Sequence, residues 1–288
     1  MSSSTSGPFS MKHQYMPRSG PLCYGSIDRM PPVPESGPGR ATRMAAEGAV
    51  FTNSPKVNDY DSFAEAYTDH SDADIVNAYY ERPAILALAG GVTGRRILDA
   101  GCGSGPIAAA LRDRGAVVTG IDSSAKMLEL ARQRLGASAD LHLADLGSPL
   151  PFPDGAFDDV IASLVLHYLE DWAGPLAELR RVLTPGGRLI VSVDHPIVFK
   201  LVNPGADYFA TGQWSFEWTF SGQTAPMRFW HRPLHAMTDA FTAAGFRISV
   251  ISEPQPVPAA RDLFPDEFRK LTTSPSFLFF VLHAAHRR

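Results

Sequence analysis

The residues best suited to chemistry in this sequence are three aspartates, Asp99, Asp122 and Asp145, each of which follows a short apolar run. A turn with alternating glycines, residues 101–105, comes directly after the first, and Pro106 then opens an alanine- and leucine-rich stretch. Glycine adopts positive φ and leaves bare backbone against which a ligand can lie, and proline fits the first turn of a helix. This order predicts a strand, a tight turn and a helix that together hold a nucleotide-like ligand.

Spacing separates two kinds of nucleotide site for this turn. The dinucleotide fingerprint G-x-G-x-x-G would need a glycine at the position of Pro106. Asp99 would also place negative charge beside a pyrophosphate, whereas it would attract the ammonium group of a ligand that carries an amino acid. The turn therefore favours a nucleoside joined to an amino acid over a dinucleotide.

The segment Asp99–Gly105 resembles the first motif of the class I S-adenosylmethionine (SAM) dependent methyltransferases, acidic-x-G-x-G-x-G, at all its defining positions. Two later phrases, residues 150–158 and 183–189, are also typical of that family. The resemblance spans about residues 57–252, is strongest over 95–193, and is closest to small-molecule methyltransferases of the ubiquinone/menaquinone-biosynthesis type (methyltransferase type 11-like). It implies a Rossmann-like α/β sheet, mostly parallel with an antiparallel last strand and flanked by helices, and S-adenosyl-L-methionine as cofactor.

Chain spacing and this resemblance assign roles to residues at the strand ends. Asp122 lies about 21 residues past Gly101, the distance at which a β-α-β unit returns to the same sheet edge, so we expect it to accept the ribose hydroxyls. Asp145 matches the family residue that accepts from the adenine amino group; a solvated loop aspartate is the alternative. Met127 would pack on the adenine or in the core. The predicted cofactor-binding residues are Asp99, Gly101, Cys102, Gly103, Asp122, Ser123, Met127, Asp145, Leu146, Ser163 and Tyr67.

Aromatic residues flank the predicted core on both sides. Tyr60, Phe63 and Tyr67 recur with a helical period, which predicts lid helices within 57–90. These helices either pack against the domain or, as the resemblance implies, close over the cofactor with Tyr67 beside it. Further on, an insert at about 196–233 carries a predicted aromatic hairpin, which we expect to enclose a substrate; extension of the core and a dimer contact are the alternatives.

Four histidines are candidate bases for the reaction. A hydroxyl acceptor such as a phenol or enol must lose a proton, and histidine titrates near neutral pH. The candidates, in order, are His195 after the fifth strand, His231 where the hairpin returns, His167 after the fourth strand, and His235. A structural role is the alternative for each. No cysteine and histidine cluster has metal-ligand spacing, so we predict chemistry without a metal.

Length and charge narrow the function classes. The chain has 288 residues, of which 44% are hydrophobic, and we assign 53–288 to one methyltransferase domain and the Ser/Gly/Pro-rich 1–52 to a disordered tail. A net charge of −4 gives no overall attraction to nucleic acid or an anionic membrane, and two cysteines imply no disulfide framework. We expect a cytoplasmic monomer or homodimer with a small-molecule methyl acceptor, no nucleic acid and no membrane.

The predicted function is transfer of a methyl group from SAM to an O, N or C atom of a hydrophobic small molecule, with secondary metabolism as the expected setting. Two alternatives stay open at this point. One is an enzyme of the same fold whose chemistry is not methyl transfer, for example a cyclase. The other is an NAD-dependent dehydrogenase or a nucleotide-binding regulator.

Overall fold

A computed structural model of the protein describes residues 58–220 and 223–285. The predicted disordered tail at 1–52 lies outside the described residues. The strands are β1 Arg96–Ala100, β2 Val117–Asp122, β3 Asp140–Leu143, β4 Phe157–Ser163, β5 Leu183–Asp194, β6 Gly212–Phe220, β7 Gln223–His231, β8 Phe246–Ser252 and β9 Phe277–Ala284. The helices are α1 Tyr60–Ala73, α2 Arg82–Ala89, α3 Pro106–Asp113, α4 Ala125–Leu135, α5 Ala173–Val182, α6 Pro196–Val202, α7 Leu234–Ala243, α8 Ala260–Leu263 and α9 Pro265–Leu271.

A seven-stranded sheet with the order β3-β2-β1-β4-β5-β9-β8 forms the centre of the protein. Of its described strands, β9 alone runs antiparallel to its neighbours β5 and β8. The predicted mostly parallel sheet with an antiparallel last strand is therefore confirmed. The order along the sheet reverses between β1 and β4, and ligands of open α/β sheets bind at the carboxyl ends of the strands beside such a reversal.

Helices pack on both faces of the sheet because successive strand residues point to opposite sides. Leu98 of β1 packs in a cluster with α5 and α7, whereas its neighbour Ile97 packs in a second cluster with α2 and α3. Both side chains are fully buried. This two-sided core leaves the strand ends as the places where polar side chains can reach a ligand.

The hairpin of β6 and β7 forms a small sheet of its own and packs on α1. Phe216 stacks on Phe229 with ring centroids 5.2 Å apart, on the face turned toward the helix. Asn58, just before α1, makes two hydrogen bonds to the hairpin through its side-chain amide. Its Nδ2 donates to the Arg228 carbonyl at 2.9 Å, and its Oδ1 accepts from the Arg228 N–H at 2.8 Å. We call α1 and this hairpin together the cover.

Two predicted elements differ from the observed ones. The third strand ends at Leu143 rather than at 146, and Asp145 lies in the turn that follows, where its Oδ1 accepts from the Gly147 N–H at 2.9 Å. The insert after β5 also begins with a helix, α6, which the sequence pattern did not reveal. His195 caps this helix by accepting from the Ile197 N–H at 3.1 Å. In the described part of the chain, no helix is both long enough and apolar enough to cross a bilayer.

Candidate functional site

The ends of β1, β2 and β4 meet the cover at a cavity of about 240 Å³, which we call the first cavity. Asp99, Asp122 and Asp145, although they come from separate chain segments, all line it. The structure brings all eleven predicted cofactor residues together here, namely Asp99, Gly101, Cys102, Gly103, Asp122, Ser123, Met127, Asp145, Leu146, Ser163 and Tyr67. Their individual roles stay predictions.

Asp122 holds the glycine turn in place. Its Oδ2 accepts from the Gly103 N–H at 2.8 Å and its Oδ1 from the Ser124 N–H at 2.9 Å. The turn is also fixed to β2, because the N–H groups of Gly101 and Cys102 both donate to the Ile121 carbonyl at 2.8 Å. Burial raises the pKa of Asp122, and its backbone donors oppose that shift. The carboxylate therefore shapes the loop as well as the cavity.

Asp99 is a buried carboxylate with little hydrogen-bond support. The residue is 1% exposed, and within the described residues neither oxygen makes a well-formed hydrogen bond, although the Ala108 N–H is close enough to lower its pKa. Burial raises its pKa to about 7, and the nearby charges of Asp122 and Glu81 add to the shift. An unpaired buried carboxylate is costly, and a cationic ligand group beside it would remove that cost.

Two glycines of the turn have different constraints. Gly101 has φ +80°, and a Cβ there would lie 2.7 Å from Cγ2 of Val165, so this glycine is required by packing. Gly103 has φ +54°, and a Cβ there would meet nothing within 4 Å. Since Gly103 lines the first cavity, its missing side chain leaves space that a ligand can use.

A second cavity of about 260 Å³ adjoins the first. The two cavities share four lining residues, Tyr67, Asn77, Leu164 and Tyr168. Leu164 has φ +47°, which is rare for leucine, and its N–H donates to the Ser192 carbonyl at 3.0 Å. Strained residues of this kind cluster at functional sites. The hydroxyls of Tyr60 and Tyr168 also contact each other and join the cover to the end of β4.

Comparison with known proteins agrees with this geometry. Residues 98–191 match the family described as "Methyltransferase domain". The demethylmenaquinone methyltransferase of Tropheryma whipplei is 38% identical over 122 residues, which are 42% of this chain and 50% of that protein. A SAM-dependent methyltransferase structure from Mesorhizobium loti is 28% identical, with a TM-score of 0.56 over 74% of this chain and all of that one. The chain contains a class I SAM-dependent methyltransferase domain.

A second curated relative of the methyltransferase domain is the malonyl-[acyl-carrier protein] O-methyltransferase of Serratia marcescens. It is 41% identical over 108 residues, which are 38% of this chain and 42% of that protein. The chain thus spans half or less of the length of these two curated relatives.

The first cavity of the methyltransferase domain fits SAM on two observations of this structure. The buried carboxylate of Asp99 suits the ammonium group of the methionine part, and the open space at Gly103 allows a ligand against the backbone. Asp122 and Asp145 would accept from the ribose and the adenine, respectively. Buried Met127 would pack against the adenine ring.

The structure separates the predicted catalytic histidines. His167 lines the second cavity, whereas His195 and His231 line neither cavity. His195 Nε2 bonds Glu253 at 2.7 Å, and His231 Nε2 bonds the Tyr208 carbonyl at 2.8 Å. Both rings are thus engaged away from the cavities, and we do not carry these two residues forward as bases.

Two site residues were missed by the sequence reasoning. Asp194, beside His195 at the end of β5, lines the second cavity. Glu81 lies in a π-helical turn between α1 and α2, is 3% exposed, and lines the first cavity. Its Oε1 accepts from Ser163 at 2.7 Å and from Ser192 at 2.6 Å. A carboxylate at the end of a parallel strand was a usable signal for Asp194, since the same reasoning identified Asp99.

Among residues 58–220 and 223–285, no three His, Cys, Asp or Glu side chains are grouped in a way that could hold a metal ion.

Proposed function

We propose that this protein transfers the methyl group of SAM to an O, N or C atom of a hydrophobic small molecule bound in the second cavity. The observation that carries the proposal is the junction of the two cavities at Tyr67, Asn77, Leu164 and Tyr168. A donor in one cavity and an acceptor in the other would be neighbours across these four residues. Holding two reactants in contact supplies much of the rate of a bimolecular displacement.

When bound, SAM supplies a methyl group already activated by the sulfonium. The chain's own residues bind the two reactants, orient them and exclude water from the site. Asp99 would pair with the ammonium group of SAM, and Asp122 and Asp145 would hold its nucleoside part. The cover excludes water because Phe229 and the other aromatic residues of its inner face are packed against α1 and Tyr168.

Ligand binding and product release test this proposal. We expect SAM and S-adenosylhomocysteine to raise the melting temperature of the full chain and NAD to leave it unchanged. We also expect release of S-adenosylhomocysteine when SAM is supplied with a panel of apolar alcohols, amines and enols. Stabilisation by NAD and not by SAM would overturn the proposal. Conversion of an acceptor with SAM bound but not consumed would instead support the cyclase-type alternative.

A further inference from the structure

The second cavity combines aromatic rings with carboxylates. The described residues that line it include six aromatic side chains and three carboxylates, but neither lysine nor arginine. The aromatic residues are Tyr67, Tyr168, Trp218, Phe229, Phe264 and Phe277, and the carboxylates are Asp74, Asp194 and Glu267. Aromatic faces and carboxylates both attract cations, whereas this lining repels anions.

The three carboxylates are not equivalent. Asp74 is occupied as a cap, because its Oδ1 accepts from the N–H groups of Val76 and Asn77 at 2.7 and 3.0 Å. Glu267 lies on α9 and is partly exposed. Asp194 is partly buried, with its side chain 16% exposed, and within the described residues its carboxylate caps no backbone N–H. A ligand charge would therefore gain most from Asp194.

Asp194 lacks a countercharge within the described part of the chain. The nearest ionisable partner described is a histidine, since Oδ2 lies 3.7 Å from Nδ1 of His167, and that nitrogen accepts from the Asp194 backbone N–H at 3.5 Å. Burial lowers the pKa of His167 to about 3, so this ring is neutral near pH 7. Burial also raises the pKa of Asp194 to about 7. The carboxylate is thus held in an apolar wall without the positive group that would balance it.

His167 supplies a second, independent sign of a missing ligand. The residue is 5% exposed and lines the cavity, and in the described structure its Nε2 atom has no hydrogen-bond partner. Nδ1 accepts from the Asp194 backbone N–H at 3.5 Å, so in the neutral ring the proton is on Nε2, on the opposite side of the ring. Its ring also packs edge-on against Phe229, with centroids 4.9 Å apart. A buried N–H of this kind is satisfied when a hydrogen-bond acceptor arrives.

We propose that the acceptor is an amine on a flat apolar body, whose ammonium group pairs with Asp194 and whose nitrogen is the atom methylated. This inference rests on the proposed function. The aromatic lining would hold the apolar body, and a cation over these rings adds a favourable interaction. A neutral alcohol would leave Asp194 without a countercharge, and a carboxylate ligand would be repelled by it.

The reaction balances as follows. The ammonium group gives one proton to the Asp194 carboxylate, which leaves a lone pair on nitrogen. That lone pair forms the new N–CH₃ bond while the S–CH₃ bond of SAM breaks and its electron pair stays on sulfur. The products are S-adenosylhomocysteine, the N-methylated ammonium ion and one proton released through Asp194.

Three probes with one aromatic body test the charge preference of the full chain: 2-(aminomethyl)naphthalene, 2-naphthylmethanol and 2-naphthoate. We expect calorimetry, with and without S-adenosylhomocysteine, to show the amine binding at least tenfold more tightly than the alcohol, and 2-naphthoate most weakly. Asp194→Asn should remove the preference and keep the affinity for the alcohol. Glu253→Gln is the control and should keep the preference for the amine. Glu253 bonds His195, the residue after Asp194, but lines neither cavity.

Several results would overturn the inference. These are an alcohol affinity equal to or above that of the amine, an unchanged preference in Asp194→Asn, and no binding of any of the three probes. Should Asp194→Asn not fold, the comparison of probes on the unaltered chain still decides. SAM binding is measured separately: an amine preference without SAM binding contradicts the proposed function, and SAM binding without that preference contradicts this inference alone.

Discussion

Gly103 and Gly94 form a matched pair of positions at which one added methyl group tests whether a ligand lies against the glycine turn. Both have positive φ, +54° and +74°, and a Cβ at either would meet nothing within 4 Å. Alanine therefore adds a similar backbone strain at each, on the order of 1–2 kcal/mol. Gly103 lines the first cavity and Gly94 does not.

We expect Gly103→Ala to weaken SAM binding at least tenfold, because the new methyl group occupies ligand space, and Gly94→Ala to leave the affinity unchanged. Calorimetric titration of the full chain measures both. Equal affinities in the two variants would mean that the ligand does not lie against Gly103. Unfolding curves of the two variants check that the strain they add is similar.

Residues near the glycine turn could be predicted because their placement depends on local geometry. The turn fixes Gly103, and a right-handed crossover from β1 returns the chain with Asp122 at the same sheet edge. Glu81 could not be predicted, since its acceptor role depends on Ser192, 111 residues away in the chain. Asp194 was missed because the sequence reasoning took only the neighbouring His195 as a chemically useful group at the end of β5, and a role of His195 as a base stays a prediction.

The cover is an element whose stability comes from packing. A lone two-stranded hairpin is marginal in water, so β6 and β7 depend on the apolar face they share with α1. Met227 is fully buried in that face and lines neither cavity. Ser215, on the opposite face of the same hairpin, is exposed.

We expect Met227→Ala to loosen the cover by about 2–5 kcal/mol, because the truncated side chain leaves a cavity in its core. Hydrogen exchange should then be at least tenfold faster in α1 and in the hairpin, with the central sheet unchanged. SAM affinity should also fall, since Tyr60 and Tyr67 of α1 line the first cavity. Ser215→Ala serves as the control. Faster exchange in the hairpin alone would show that α1 does not depend on it.

Strands and helices were predicted best where a regular hydrophobic pattern is followed by residues that typically end such an element. The aromatic alternation of β6 and the return strand β7 were visible in the sequence because one face of the hairpin is buried. Helix α6 was not visible, because its cap is a histidine side chain rather than a usual capping residue. The early end of β3 was also missed, since the apolar pattern continues through Leu146, which is buried after the strand has ended.

At the scale of the whole molecule, the net charge is only −4, but the acidic side chains are unevenly distributed. The strand ends collect buried carboxylates, and burial raises the pKa of both Asp99 and Asp194 to about 7. Their value in an unfolded chain is near 3.8. Each group therefore stabilises the fold below pH 3.8, and that contribution is lost as the pH rises through 7.

The unaltered chain without ligand should lose stability between pH 6.5 and 8 relative to a variant that lacks these two carboxyls. Each carboxyl still carries most of its proton at pH 6.5 and little at pH 8, which lowers the free energy of unfolding by about 1 kcal/mol per group. Histidines with lowered pKa values, such as His167, act in the opposite direction, and part of their contribution persists above pH 6.5 because an unfolded imidazole is only half deprotonated there. That contribution is the same in the unaltered chain and in the variant, so it cancels in the comparison.

Urea unfolding of Asp99→Asn/Asp194→Asn tests this account, because the amides cannot ionise. We expect the double variant to exceed the unaltered chain at pH 8 by about 2 kcal/mol or more, and this difference to be smaller at pH 6.5 by about 1–2 kcal/mol. A matched variant of two exposed carboxylates, Glu129→Gln/Asp239→Asn, should follow the pH dependence of the unaltered chain. The same pH dependence in both variants would mean that Asp99 and Asp194 do not titrate in this range, which would contradict the pKa shifts on which the prediction rests.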